Sequence, residues 1–530
     1  MSQGQPGARA YNRTLFQAVI DGAATHGRKK PILEDAENPA LTYGRLIIGS
    51  FVLGRKLAAE TQRGETVGLL LPNTNAMAVT LLSLNAFGRT AALLNFTAGV
   101  RNILAAVETA EVSTIVTSRR FIQMAELGAV RDALAASKTP SGKPRTLIYL
   151  EDVRKSVGTL DKARGALDGA RAQKAHARHA LAPDRPAVIL FTSGTEASPK
   201  AVVLSSSNIV ANADQIWRHA DNMLTANDVV LNPLPMFHSF GLTAGTLLGL
   251  INGMRIVLYP SPLHYKEIPK MARERGATVL FATDTFLQGY ARNAGPDDLA
   301  SLRHVIAGAE RVKDRTRSLW SKYPANLLEG YGATECAPVL ACNLPPSNTP
   351  GAVGPLLPDL ETRIDPVPGI SEGGKLSVRG PNIMLGYMFA DKPGVLVPLP
   401  GGWHDTGDIV DLGDDGLVRI KGRAKRFAKV GGEMVSLQAV ENTIAAIWPD
   451  DNHVVLSVAD ERKGEQLVLM TERRDADRAA LVAGFKANGC PELWLPRRIA
   501  HVGEIPLLGS GKTDFPAAAQ LWQEMQRDAA

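Results

Sequence analysis

Short apolar runs alternate with helix-spaced segments through residues 1–420, and this alternation restricts the possible folds more than any other feature. The runs at 66–72, 90–95, 113–117, 186–191, 255–259, 278–283 and 304–308 are dominated by Val, Leu, Ile and Ala. Such continuous runs read as strands buried on both faces. Between them, 74–88 and 206–221 carry apolar residues at helical spacing. Strands joined through helices favour parallel pairing, so the expected fold class is α/β, with a large N-terminal domain of mainly parallel sheets and helices outside. At 530 residues the chain exceeds what one small core serves.

Near residue 350 the texture changes. Short strands at 374–380 and 416–422 lie between Gly, Pro and Asp turns, which predicts a β-rich subdomain over about 350–422. Strands at 454–459 and 465–471 and a helix near 477–488 then predict a small α+β C-terminal domain. The expected division is 1–422 and 423–530. The Ala-rich stretch 151–183 reads as a surface helix or long connector. His179 and Asp184 within and after it match the HxxxxD spacing of glycerolipid acyltransferases, a match best read as chance.

Composition removes several classes. Cys336, Cys342 and Cys490 form no CxxC pair, so neither a disulfide framework nor a thiolate zinc site is expected. The formal charge of +6 is too small to argue for nucleic acid and comes with no stacking-aromatic pattern. No apolar stretch approaches the ~20 residues needed to span a bilayer, and the first residues lack a signal-peptide core. A cytoplasmic protein without a transmembrane segment is expected; peripheral membrane contact stays open.

The chemistry-bearing motifs fall at strand ends. Thr192-Ser193-Gly194-Thr195-Glu196-Ala197-Ser198-Pro199-Lys200 follows the 186–191 run. A glycine- and hydroxyl-rich loop there offers N–H and O–H donors to phosphate oxygens, and Lys200 adds a cation. It is not a Walker A loop, because Lys200 lacks the preceding Gly and following Ser or Thr. Gly330, Tyr331, Gly332, Thr334 and Glu335 form a second loop. Glycines flanking Tyr331 let its ring reach a planar partner, Thr334 can bond a phosphate, and Glu335 is a hard oxygen ligand suited to Mg2+. Asp408 ends a Trp-His-Asp-Thr-Gly-Asp stretch and could accept two ribose hydroxyls. Arg419, Lys421, Arg423, Lys425, Arg426 and Lys429 make a basic run at the domain boundary, and Lys512 sits on a Gly-rich loop near the C-terminus.

In this order and spacing the motifs resemble the adenylate-forming superfamily of acyl-CoA synthetases, luciferases and peptide-synthetase adenylation domains. LFTSGTEASPKAVVLS, PLPMFHSFGLT, EGYGATECAPV and GRAKRFAKVGGEMVSL are similar, more narrowly, to the synthetase half of bacterial bifunctional 2-acylglycerophosphoethanolamine acyltransferase/acyl-ACP synthetases, without the acyltransferase half. The resemblance implies an ATP-dependent fatty acid ligase that forms acyl-AMP and then an acyl thioester. Holo-acyl carrier protein is the expected acceptor. A medium- or long-chain acyl-CoA synthetase is the alternative, and a non-catalytic nucleotide- or acyl-binding module a remote one.

By that resemblance, Thr192, Ser193, Gly194, Thr195, Glu196 and Lys200 would hold the ATP phosphates. Gly308, Ala309, Glu310, Gly330, Tyr331 and Gly332 would surround adenine, and Asp408 and Arg423 the ribose. Glu335 would bind Mg2+, Thr334 would contact the α-phosphate, and Lys512 would bridge it to the attacking carboxylate. Lys425 would be the hinge of a mobile C-terminal domain, with Lys429, Gly431 and Gly432 presented for thiolation. Phe237, His238 and Gly241 would border the acyl channel. Ala197 and Ala201 depart from the superfamily loop, which has glycine at both places.

Overall fold

A computed structural model describes residues 11–192, 199–370, 372–430, 433–460, 464–507 and 513–528. Two eight-stranded sheets make the large N-terminal part. In the first, Pro31–Asp35, Arg255–Leu258, Val229–Asn232, Val279–Ala282, His304–Ala307 and Asn326–Gly332 run parallel, in that spatial order. In the second, Pro186–Thr192, Thr90–Leu93, Thr66–Leu69, Thr114–Thr117 and Thr146–Tyr149 are parallel neighbours. Most of these strands are buried along their length, as their unbroken apolar character requires.

Helices Leu15–His26, Tyr43–Glu60, Asn75–Ala86 and Ser206–Ala220 pack with both sheets into one large core. Asn75–Ala86 is buried on nearly every side, which explains why its apolar residues show no single stripe. The expected α/β class is the one observed. The stretch 151–183 is helical and lies at the surface, the first of its two expected forms. Its helix Thr159–Ala170 lies against Tyr43–Glu60, held by Lys56–Asp161 and Arg55–Asp168 ion pairs. Close approach is possible because Gly165 lacks a Cβ, which would sit 2.3 Å from Val52. His179 stacks on Phe87 with ring centroids 4.6 Å apart, a packing role for the residue of the HxxxxD match.

A four-stranded antiparallel sheet follows, ordered Glu361–Asp365, Gly374–Arg379, His404–Leu412 and Val418–Arg423. One hairpin leaves it. Gly386–Phe389 and Lys392–Pro398 extend the second large sheet by pairing with Lys200–Ser205. The last segment builds a five-stranded sheet of its own from Phe427–Val430, Glu433–Ser436, His453–Asp460, Gly464–Thr471 and Arg498–His501. Helices Leu437–Ile447 and Arg478–Ala487 cover one core of this unit, and Phe515–Asp528 covers another. Only Ala424–Arg426, a single 3-10 turn, separates the four-stranded and five-stranded sheets. Arg315 touches the C-terminal unit at Asp450, with 3.2 Å between guanidinium and carboxylate. No helix among the described residues is long and apolar enough to cross a membrane.

Candidate active site

The C-terminal ends of parallel strands collect the loops in which open α/β sheets bind ligands. Thr192 and Lys200 are direct cross-strand partners, so the strand pair delivers both ends of the intervening loop to one place. Ser193, Gly194, Thr195 and Glu196 lie outside the described residues, as do Gly431, Gly432 and Lys512. In the first sheet Ala307 pairs with Glu329, which sets Gly308, Ala309 and Glu310 beside Gly330 and Tyr331. Ala309 adopts a φ of 69°, a left-handed conformation uncommon for residues with a Cβ. Gly332 is required sterically, because a Cβ there would lie 2.1 Å from the Pro338 carbonyl oxygen.

Two polar groups form around these loops. In the first, the Tyr331 hydroxyl donates to Asp408 Oδ2 at 2.5 Å, and Arg423 Nε lies 2.8 Å from Asp408 Oδ1. Asp408 and Arg423 are cross-strand partners, so the antiparallel sheet fixes that contact. Asp408 is buried, and burial raises its carboxyl above the usual range, an effect that Arg423 and the Tyr331 hydrogen bond oppose. Its two oxygens keep acceptor capacity, since a carboxylate offers about four lone-pair sites. Burial, with the adjacent Asp408 charge, also holds the Tyr331 phenol well above its ordinary value, so it remains a donor.

In the second group, the Tyr387 hydroxyl donates to Glu335 Oε1 at 2.9 Å. Lys200 Nζ lies 5.6 Å from the centroid of the same tyrosine ring. Thr334 joins this group to the 237–241 segment through a 3.5 Å contact from Ser239 Oγ to its own Oγ1. A carboxylate beside hydroxyls is a donor set for a hard cation such as Mg2+, which takes one or two protein carboxylates and completes its shell with phosphate oxygens and water.

An aromatic wall borders the 237–241 segment. Phe237 meets Phe96 edge-on at 5.1 Å and His238 at 4.7 Å, and Phe240 meets Phe281 at 5.6 Å. A Cβ on Gly308 would sit 3.0 Å from the Phe240 ring, so the glycine gives that ring room beside the strand end. Phe240–Leu247 winds as a π-helix, a rare form common at functional sites. The buried Asn232 amide donates to the Gly241 carbonyl at 2.9 Å and fills the wide turn. The sequence reading overlooked Asn232 and Tyr387. Nothing in the sequence alone shows that either side chain reaches these loops.

Glu310 turns to the helix Asp284–Asn293, where its Oε2 accepts from Thr285 N at 3.1 Å and Oγ1 at 3.0 Å. Its carboxyl, raised by burial, is thus occupied with an unpaired helix start. The basic run is also less available than its composition suggests. Arg419, Lys421, Arg423 and Arg426 pair with Asp415, Glu372, Asp408 and Glu441, respectively. Lys425 and Lys429 are exposed.

The AMP-binding enzyme family model matches residues 20–388, more than half of the chain, so the chain belongs to that family. It is therefore an enzyme of the adenylate-forming superfamily, an ATP-using, AMP-forming acid–thiol ligase. A 3-[(3aS,4S,7aS)-7a-methyl-1,5-dioxo-octahydro-1H-inden-4-yl]propanoyl:CoA ligase of Rhodococcus jostii (strain RHA1) is 28% identical over 475 residues, covering 86% of this chain and 88% of its own. The mitochondrial medium-chain acyl-CoA ligase ACSF2 of Bos taurus is 25% identical over 566 aligned residues, covering 99% and 90%. ATP-bound MatB from Rhodopseudomonas palustris superposes with a TM-score of 0.80 at 23% identity, covering 97% of this chain and 99% of its own, a likeness of fold.

Proposed function

We propose that this chain activates a fatty acid as its acyl-adenylate and passes the acyl group to a thiol, with coenzyme A the favoured acceptor. The observation that carries the reading is the convergence of two motifs far apart in sequence. Tyr331 meets Asp408, which is paired with Arg423, and Glu335 and Lys200 both meet Tyr387. In this reading Tyr331 packs on adenine, Asp408 and Arg423 hold the ribose, and Thr192 and Lys200 flank the phosphates. Glu335 holds Mg2+, which would neutralise phosphate charge. The aromatic wall of Phe237 and Phe240 suits an apolar acyl chain.

The attacking carboxylate and the α-phosphate repel each other, so the chain's task is alignment and charge neutralisation. Lys512 supplies the cation that touches both. Excluding water then protects the labile mixed anhydride. The domain division at 422/423, with Lys425 as hinge, is supported by how the neighbouring arginines are anchored. Arg423 is tied to Asp408 on the N-terminal side, and Arg426 to Glu441 on the C-terminal side. Rotation is thereby confined to Ala424 and Lys425.

An acyl carrier protein was the acceptor expected from sequence. One finding favours coenzyme A instead: the curated relatives described above are CoA ligases. A panel of acids of graded length, assayed with ATP and either thiol, decides. Thioester formation with coenzyme A and none with holo-acyl carrier protein is expected. The reverse pattern would restore the carrier protein, and no acid-dependent ATP–pyrophosphate exchange with any acid would favour a binding module.

A pH prediction follows from Asp408. Only its ionised form accepts both ribose hydroxyls, so nucleotide affinity falls as pH drops through its raised pKa. Arg423 lowers that pKa, so Arg423→Met is expected to move the acid limb of ATP binding to higher pH. Calorimetric ATP affinity across a pH series reads this directly, and an unmoved midpoint would separate Asp408 from the ribose.

A further inference from the structure

Tyr387 touches both Glu335 and Lys200. It lies in the strand Gly386–Phe389, paired with Val202 of the strand that begins at Lys200. Its hydroxyl holds Glu335 Oε1 at 2.9 Å, while Lys200 Nζ stands 5.6 Å from its ring centroid and 5.7 Å from that of Phe389. Both ring distances are within the ~6 Å reach of a cation–π attraction.

A glutamate carboxylate turns about a broad, two-fold terminal torsion. One hydrogen bond from a donor on a paired strand selects an orientation and leaves the other oxygen to face a ligand. The ring does a second thing. A lysine that met Glu335 directly would form an ion pair, which neutralises a metal ligand and withdraws a phosphate cation at once. Two aromatic faces offer the ammonium an alternative seat that leaves its charge available.

We propose that Tyr387 is a positioning residue that orients the Glu335 carboxylate for Mg2+ and keeps Lys200 apart from it. The proposal rests on the reading of Glu335 as the magnesium ligand. Supporting groups of this kind typically change metal affinity about 10–100-fold.

The test is the Mg2+ dependence of ATP binding, read as the ATP-induced rise in melting temperature of the full chain while Mg2+ is titrated, with no acid or thiol present. Tyr387→Phe removes one oxygen and keeps the ring and the strand pairing. It is expected to raise the Mg2+ midpoint about tenfold, while the shift given by ATP without Mg2+ stays as in the wild type. A merely structural role would instead lower the melting temperature and leave the midpoint alone. Glu335→Gln serves as reference and is expected to raise the midpoint at least as far. An unmoved midpoint in Tyr387→Phe beside a raised one in Glu335→Gln overturns the positioning role and leaves the ligand reading standing. An unmoved midpoint in Glu335→Gln overturns the ligand reading, and the positioning role with it.

Discussion

Lys512→Ala is expected to lower acid-dependent ATP–pyrophosphate exchange by at least about 10²–10³-fold, the range seen when one donor to a developing anion is removed. The physical demand is clear in the reaction. Two anions must come within bonding distance, and few groups other than a lysine can lie against both while they approach. Thiol attack on the finished acyl-adenylate has no such requirement, since the repulsion has already been overcome. The same variant should therefore turn supplied acyl-adenylate into thioester at close to the wild-type rate. Parallel loss of exchange and thioester formation would remove the two-step scheme and the assigned role of Lys512.

Glu441→Ala is expected to destabilise the C-terminal unit by about 3–5 kcal/mol, the usual cost of breaking a buried ion pair from one side. The side chains of Arg426 and Glu441 are only 13% and 10% exposed. Glu441 Oε1 also accepts from Val455 N at 2.8 Å. Arg426 donates to the Val455 carbonyl at 3.0 Å and lies 3.8 Å above the Phe515 ring. Removing the carboxylate strands a guanidinium among apolar groups. Removing both, in Arg426→Met with Glu441→Leu, should recover most of the loss, because the desolvation cost disappears with the charges. Hydrogen exchange in His453–Asp460 and Gly464–Thr471 is the local readout. A single-variant effect below about 1 kcal/mol would show that the pair behaves as an exposed one. It would also undercut the anchoring of the chain on the C-terminal side of Lys425.

Much of the fold was legible because its signals are local. The run at 186–191 became Pro186–Thr192, 304–308 became His304–Ala307, and 465–471 became Gly464–Thr471. A strand buried on both faces carries few charges, and those paired, so the sequence largely declares it. The Gly386–Pro398 hairpin was different. It is continuous in sequence with the antiparallel sheet, yet its hydrogen bonds join it to Lys200–Ser205. Backbone pairing carries no mark in the side chains that says which edge a strand will take.

The candidate site divides in the same way. Tyr331, Glu335 and Asp408 stand out by their loop chemistry, and family likeness gave them roles. The Tyr331–Asp408 contact spans 77 positions and the Tyr387–Glu335 contact 52, separations over which sequence spacing says nothing of distance. Glu310 shows a contact that sequence spacing does not reveal. A carboxylate beside a presumed nucleotide loop is also next to a helix start, and the unpaired N–H groups there are the nearer partner.

By itself, the sequence determined the α/β class, many of the buried strands and the family to which the chain belongs. Those follow from burial and local hydrogen-bonding chemistry, which each short segment carries within it. Only the tertiary structure decided which charges stay available and which are consumed. Arg426 is committed to Glu441, Glu310 to Thr285, and Lys200 is seated over Tyr387. Electrostatic partnership depends on distances of a few ångströms between segments remote in the chain, and those distances exist only once the sheets have packed.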